Sequence, residues 1–72
     1  MSPGGSIRVL VNGEPLRLSE PISLLALLEQ LDEPYAHALV ERNRRLVRAE
    51  QLASTILADG DEIEVILPAF GG

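Results

Sequence analysis

The residues with the most direct chemical potential are the last two, Gly71 and Gly72. They follow the apolar run Ile63-Glu64-Val65-Ile66-Leu67 and the short stretch Pro68-Ala69-Phe70. A core strand that leads into a bare terminal carboxylate makes that carboxylate the candidate reacting group. Extended at ~3.3–3.6 Å per residue, Pro68 to Gly72 reach roughly 17 Å, enough to thread into a partner's active site. Glycine lets a backbone approach another surface where any Cβ would collide. An inert, frayed terminus is the alternative reading of the same residues.

The other side chains offer less. There is no cysteine, which removes disulfides, thiolate metal sites and a cysteine nucleophile. His37, the single histidine, falls in a strand pattern and reads as a surface residue or one accommodated by packing. Glu29, Asp32 and Glu33 lie near a helix end, and Asp59, Asp61 and Glu62 in a turn. Both acidic groups read as solvated faces, and neither has the spacing of a calcium loop. Gly4-Gly5 and Gly71-Gly72 lack the strand–loop–helix frame of a phosphate-binding loop. Arg42, Arg44, Arg45 and Arg48 form a basic strip, either a solvated loop or a contact with an acidic partner. No metal site and no catalytic side chain emerge.

Composition sets the frame for these residues. Seventy-two residues, 46% of them hydrophobic, make one small folded domain with an efficient aliphatic core. One Tyr, one Phe and no Trp leave no platform for stacking bases. A formal charge of −5 repels phosphate backbones, so nucleic acid is not an expected partner. The same charge suits solubility and docking to a basic protein surface. Neither a membrane span nor a secretory pattern is present, so the expected location is the cytoplasm.

Positioning the terminus requires a scaffold, and the pattern supplies one. Residues 1–6 read as a flexible leader, 7–67 as the domain and 68–72 as a reactive tail. Ile7, Val9 and Val11 alternate as the inward face of a first strand. Asn12-Gly13 is a hairpin turn, since both central residues of a type I′ turn need positive φ. Leu16 and Leu18 face inward on the return strand. Ser23 is a candidate N-cap for a helix whose stripe is Leu24, Leu27, Leu28 and Leu31, bounded by Pro34. Ala36 to Arg42 reads as a third strand with Ala38 and Val40 inward. Asn43-Arg44-Arg45 is a polar turn and Leu46-Val47 a short edge strand. One or two helical turns are expected within Glu50–Leu57, a tight turn at Asp59-Gly60, and a final strand from Asp61 to Leu67 with Ile63, Val65 and Leu67 inward. The class is α+β, one main helix across a mixed sheet.

If strand one neighbours strand five, and strand three lies on its other side, then Leu10, Leu39 and Ile66 share the open sheet face. An apolar patch there is a candidate docking site. A one-residue register shift would instead bury all three.

Taken together, Val11-Asn12-Gly13-Glu14-Pro15, the leucine-rich helix, Asp59-Gly60-Asp61 before a last apolar strand, and Gly71-Gly72 resemble the sulfur carrier proteins of thiamine biosynthesis, the ThiS family. The resemblance covers nearly everything from Ile7 to Gly72. It implies the ubiquitin-like β-grasp fold, four to five strands in a mixed sheet against one helix, shared with the small subunit of molybdopterin synthase. It also implies a protein substrate rather than an enzyme. An adenylating enzyme akin to ubiquitin-activating enzymes would consume ATP with Mg²⁺ to activate Gly72. A cysteine desulfurase or another source would supply sulfur to form a thiocarboxylate, and a thiazole synthase would accept it. No cofactor is bound by the carrier itself. Gly71 and Phe70 would thread or anchor the tail, and Leu10, Leu39, Ile66, Arg44 and Arg45 are the candidate docking residues. Two departures stand out. Asn43-Arg44 occupies the place of a second Asn-Gly turn, and Pro68-Ala69-Phe70 is closer to the molybdopterin subunit's tail. Carriers for molybdopterin, tRNA thiolation or protein conjugation share the chemistry and stay open, as does a β-grasp binding module with an inert tail.

Overall fold

The structure is a computed structural model, and it describes residues 5–32 and 38–67. Five strands form one sheet: β1 (Ile7–Val11), β2 (Glu14–Leu18), β3 (Leu39–Arg42), β4 (Arg45–Val47) and β5 (Glu62–Ile66). Their order is β2-β1-β5-β3-β4. The last strand in sequence therefore occupies the centre. It runs parallel to β1, with Leu10 opposite Glu62, and antiparallel to β3, with Leu39 opposite Ile66. A parallel pair cannot be closed by a tight turn, and the intervening chain, including the helix α1 (Leu24–Gln30), makes the crossover. The α+β expectation and the predicted neighbours of β5 both hold.

The helix forms where expected because Ser23 caps it. Its hydroxyl accepts the Ala26 N–H at 3.0 Å, satisfying one of the first-turn amides that have no partner within the helix. Leu24, Leu27 and Leu28 are wholly buried, and they meet Ile7, Val9, Leu18, Val40 and Ile63 from the sheet. Each buried leucine contributes about 1.5–3 kcal/mol relative to exposure. Leu31, the fourth of the stripe, is half-buried and ends the helix as its C-cap. The loop between β4 and β5 completes the core. A 3₁₀ turn at Ala49–Gln51 and the buried Leu52 and Leu57 replace the longer helical segment expected there. Leu24 N–H donates to the Thr55 carbonyl and Leu57 N–H to that of Ile22, tying this loop to the helix start.

Some strand boundaries differ from expectation. Leu67, predicted inward, is 54% exposed; the ladder ends at the Ile66–Leu39 pair, so Leu67 lies past the last paired residue. Likewise β3 starts at Leu39, with Ala38 half-buried just before it. Ala36, His37, Glu33 and the Pro34 helix stop lie outside the described residues, as do Met1–Gly4 of the leader and Pro68–Gly72.

Both two-residue turns on the sheet have positive φ at both centres. Asn12 and Gly13 stand at 50° and 84°, Asn43 and Arg44 at 52° and 69°. These values fit the type I′ hairpin connection. Asparagine tolerates that region, but a long side chain there costs about 1–2 kcal/mol. Arg44 therefore sits in a conformation suited to glycine. Among the described residues, no helix is long and apolar enough to cross a membrane.

Candidate functional site

β5 is the strand that precedes residues 68–72 in the sequence, and both of its edges are held by side chains as well as by ladder bonds. On the β1 side, Asn12 N–H donates to the Ile63 carbonyl, and the Asn12 side-chain oxygen accepts the Val65 N–H, each at 2.9 Å. On the β3 side, Asn43 N–H donates to the Glu62 carbonyl at 2.8 Å, and the Asn43 side-chain oxygen accepts the Glu62 N–H at 2.9 Å. Each turn asparagine thus acts as an extra pairing partner for β5. The strand that leads to the glycines is locked in register from both sides.

Asp61 anchors the start of that strand. Its residue is 5% exposed. Oδ2 accepts Arg42 Nε at 2.9 Å and the Ala58 N–H at 2.8 Å, while Oδ1 accepts the Asn43 amide at 3.0 Å. Burial alone would raise the carboxyl's pKa. The Ala58 N–H, the Asn43 amide and the Arg42 guanidinium outweigh it and hold the group below its ordinary value of 3.8. The reading of Asp59, Asp61 and Glu62 as a solvated acidic turn is corrected here. Asp59 and Glu62 are exposed, but Asp61 is buried and clips the β3–β4 turn to the base of β5. Arg42 leaves the basic strip for the same reason: it forms the ion pair with Asp61.

The open face of the sheet, opposite α1, carries the predicted docking residues. Leu10 is 37% exposed, Leu39 52% and Ile66 38%, so the register is the one that exposes them. They do not form one patch. Leu39 and Ile66 are cross-strand partners at the tail end of β5, whereas Leu10 pairs with Glu62 at the opposite end. Arg44 lines a shallow depression with Leu10, Glu41, Glu62 and Glu64. Arg45 pairs with Arg42 and shares its side of the strand, so it turns away from Arg44. Leu46, not singled out from sequence, is 58% exposed and opposite Glu41. Its alternation with the half-buried Val47 was the available signal. The duplicated asparagine clip had a weaker one, an asparagine opening each two-residue turn.

Three comparisons with known proteins agree on what this scaffold is. A model of the ThiS family matches residues 5–72. The chain belongs to the ThiS family. The sulfur carrier protein ThiS of Escherichia coli is 33% identical over 66 residues, covering 92% of this chain and all of that protein. The ycf40 protein of Pyropia yezoensis is 42% identical over 67 residues, covering 93% and 94% of the two chains. The crystal structure of the thiamine biosynthesis protein ThiS from Geobacter metallireducens superposes with a TM-score of 0.80 at 29% identity, over 92% of this chain and all of that one. The β-grasp expectation is therefore shown for a ThiS-family chain.

Proposed function

We propose that this ThiS-family chain is a sulfur carrier of thiazole formation whose reacting group is the Gly72 carboxylate. The observation that carries the reading is the central position of β5, locked on both edges and followed in sequence by Pro68-Ala69-Phe70-Gly71-Gly72, within a family match that extends to residue 72. A fixed root and a short arm limit the volume that the terminal carboxylate can sample, which favours productive alignment with a partner's reagents.

The chemistry follows from the carboxylate. At neutral pH it is ionised, with a reference pKa of ~3.3–3.7, and a poor electrophile. Attack of a Gly72 oxygen on the α-phosphorus of ATP forms the acyl adenylate and releases pyrophosphate, with Mg²⁺ at the partner offsetting the phosphate charge. A sulfide equivalent then adds to the acyl carbon and AMP leaves, giving the thiocarboxylate. ATP and metal belong to the adenylating partner. Leu39 and Ile66, beside the root of the tail, are the docking residues this geometry favours. Phe70 and Gly71 are assigned to the partner's channel.

The test is intact-protein mass spectrometry after incubation with ATP, sulfide and the organism's adenylating enzyme. The expected result is a gain equal to one oxygen replaced by sulfur, mapped to Gly72. A chain extended by one residue beyond Gly72 should show no gain, and a gain there would overturn the assignment.

A further inference from the structure

The chain's two asparagines, Asn12 and Asn43, hold β5 alike but differ in their exposure to covalent change. Asn12 is followed by glycine and Asn43 by arginine. The backbone nitrogen that follows an asparagine can attack the carbon of its side-chain amide. Glycine at that place has no Cβ to block the approach. Asn12 and Gly13 are both exposed to water. The Asn12 side-chain oxygen accepts the Val65 N–H, but among the described residues its amide nitrogen has no hydrogen-bond partner. Asn43 is pinned at both ends of its amide. Its oxygen accepts the Glu62 N–H at 2.9 Å, and its nitrogen donates to Asp61 Oδ1 at 3.0 Å. Arg44 follows it with a Cβ and a long side chain at a φ of 69°, crowding the nitrogen that would attack.

We propose that Asn12 is a site of spontaneous deamidation, and that Arg44 guards Asn43 against the same reaction. The Gly13 nitrogen bonds to Asn12 Cγ, its proton leaves with the side-chain amide group as ammonia, and a cyclic imide remains. Water then opens the ring at either carbonyl, giving aspartate or isoaspartate. In a type I′ turn the nitrogen after Asn12 points away from its Cβ, so ring closure needs the turn to open locally and the Val65 bond to break. The products act differently on β5. Aspartate at position 12 keeps an acceptor for Val65 and loses no donor bond. Isoaspartate lengthens the turn backbone by one methylene and withdraws that acceptor, freeing an edge bond of β5. Aspartate at position 43 would replace a donor to the buried Asp61 with a second carboxylate. Nothing in this reaction depends on the sulfur-carrier reading.

The experiment incubates the purified full chain in mildly alkaline buffer, well below its unfolding temperature, and follows both asparagines by peptide mass mapping. Isoaspartate is scored with an isoaspartyl methyltransferase. Asn12 should convert to both products roughly tenfold faster than Asn43, and Gly13→Ala should slow it by about the same factor. Arg44→Gly should speed conversion of Asn43 several-fold. Equal rates at the two asparagines overturn the proposal, as does a folded chain whose Asn12 stays intact while a urea-unfolded sample converts. An unchanged Asn43 rate in Arg44→Gly removes the guard. Asn12→Asp and Asn43→Asp separate the consequences: the first should melt close to wild type and the second well below it. Equal melting would overturn the asymmetry assigned to Asp61. Amide exchange at Val65 should quicken in the isoaspartate form and not in Asn12→Asp; equal exchange in the two would overturn the loss of the β5 bond.

Discussion

The two hairpins that flank β5 solve the same geometric problem with different residues. Each joins its strands through two residues of positive φ, and each opens with an asparagine whose side chain bonds the backbone of β5. The β1–β2 turn closes with Gly13 and the β3–β4 turn with Arg44. Nothing lies within 4 Å of a Cβ built on Gly13, so glycine is there for its φ, not for lack of space. The same backbone demand at Arg44 is met by a residue poorly suited to it. The first turn carries a residue suited to its backbone, whereas the second carries a long side chain at a φ suited to glycine. The β3–β4 turn is also the one bound to the buried Asp61, so its extra anchoring coincides with its less favourable backbone.

The largest way to break this comparison is to remove that anchor. Asp61→Ala strands the Ala58 N–H, the Asn43 amide and the Arg42 guanidinium, and should cost about 3 kcal/mol. Chemical denaturation measures it directly. The acid dependence has a defined sign. Because folding lowers the Asp61 pKa below 3.8, its contribution is complete well above that value and is lost as pH falls through the lowered one. Wild-type stability should therefore decline more steeply below about pH 4 than that of Asp61→Asn. Parallel acid limbs for the two proteins would show that other carboxylates dominate.

Next in size, Asn43→Ala removes two side-chain bonds and the residue type suited to its φ, for a loss of about 2 kcal/mol. Asn12→Ala removes one bond and should lose somewhat less, about 1.5 kcal/mol. Hydrogen exchange at Val65 and Glu62 localises the two effects: Asn12→Ala should expose the first amide and Asn43→Ala the second. Smaller still, Gly13→Ala should cost about 0.5–1 kcal/mol, from strain partly offset by a stiffer unfolded chain. Arg44→Gly should do the reverse, stabilising by about 0.5 kcal/mol, a shift of roughly 2–4 °C in a domain of this size. Destabilisation by Arg44→Gly would remove the contrast between the turns.

Much of this architecture was legible beforehand because local rules and tertiary packing agree over most of the chain. The Ser23 cap, the Leu24-Leu27-Leu28 stripe, the Asn12-Gly13 turn and the alternation of β1 each specify local structure without knowledge of distant residues. The pairing of β5 with β1 and β3 followed from two such patterns needing a common core. Asp61 was not legible. Its neighbours in sequence are polar and exposed, and its burial depends on Arg42 and Asn43, nearly twenty residues earlier. Leu67 was misplaced because alternation continues in sequence beyond the point where pairing stops. In the candidate site, exposure of Leu10, Leu39 and Ile66 could be read from their phase in the strands. Their separation depends on the stagger of β1 against β5, which no single strand encodes.

The central placement of β5 has a mechanical corollary. A strand bonded along both edges resists a pull on its end in shear, since the bonds on each side must fail together, whereas an edge strand can be peeled one bond at a time. Leu67 and then residues 68–72 follow this strand in the sequence, so tension applied at its C-terminal end enters the fold at a strand paired on both sides. A processive unfoldase gripping the tail would meet its main obstacle at once, at Ile66, while one pulling from β4 or β2 could begin at an edge.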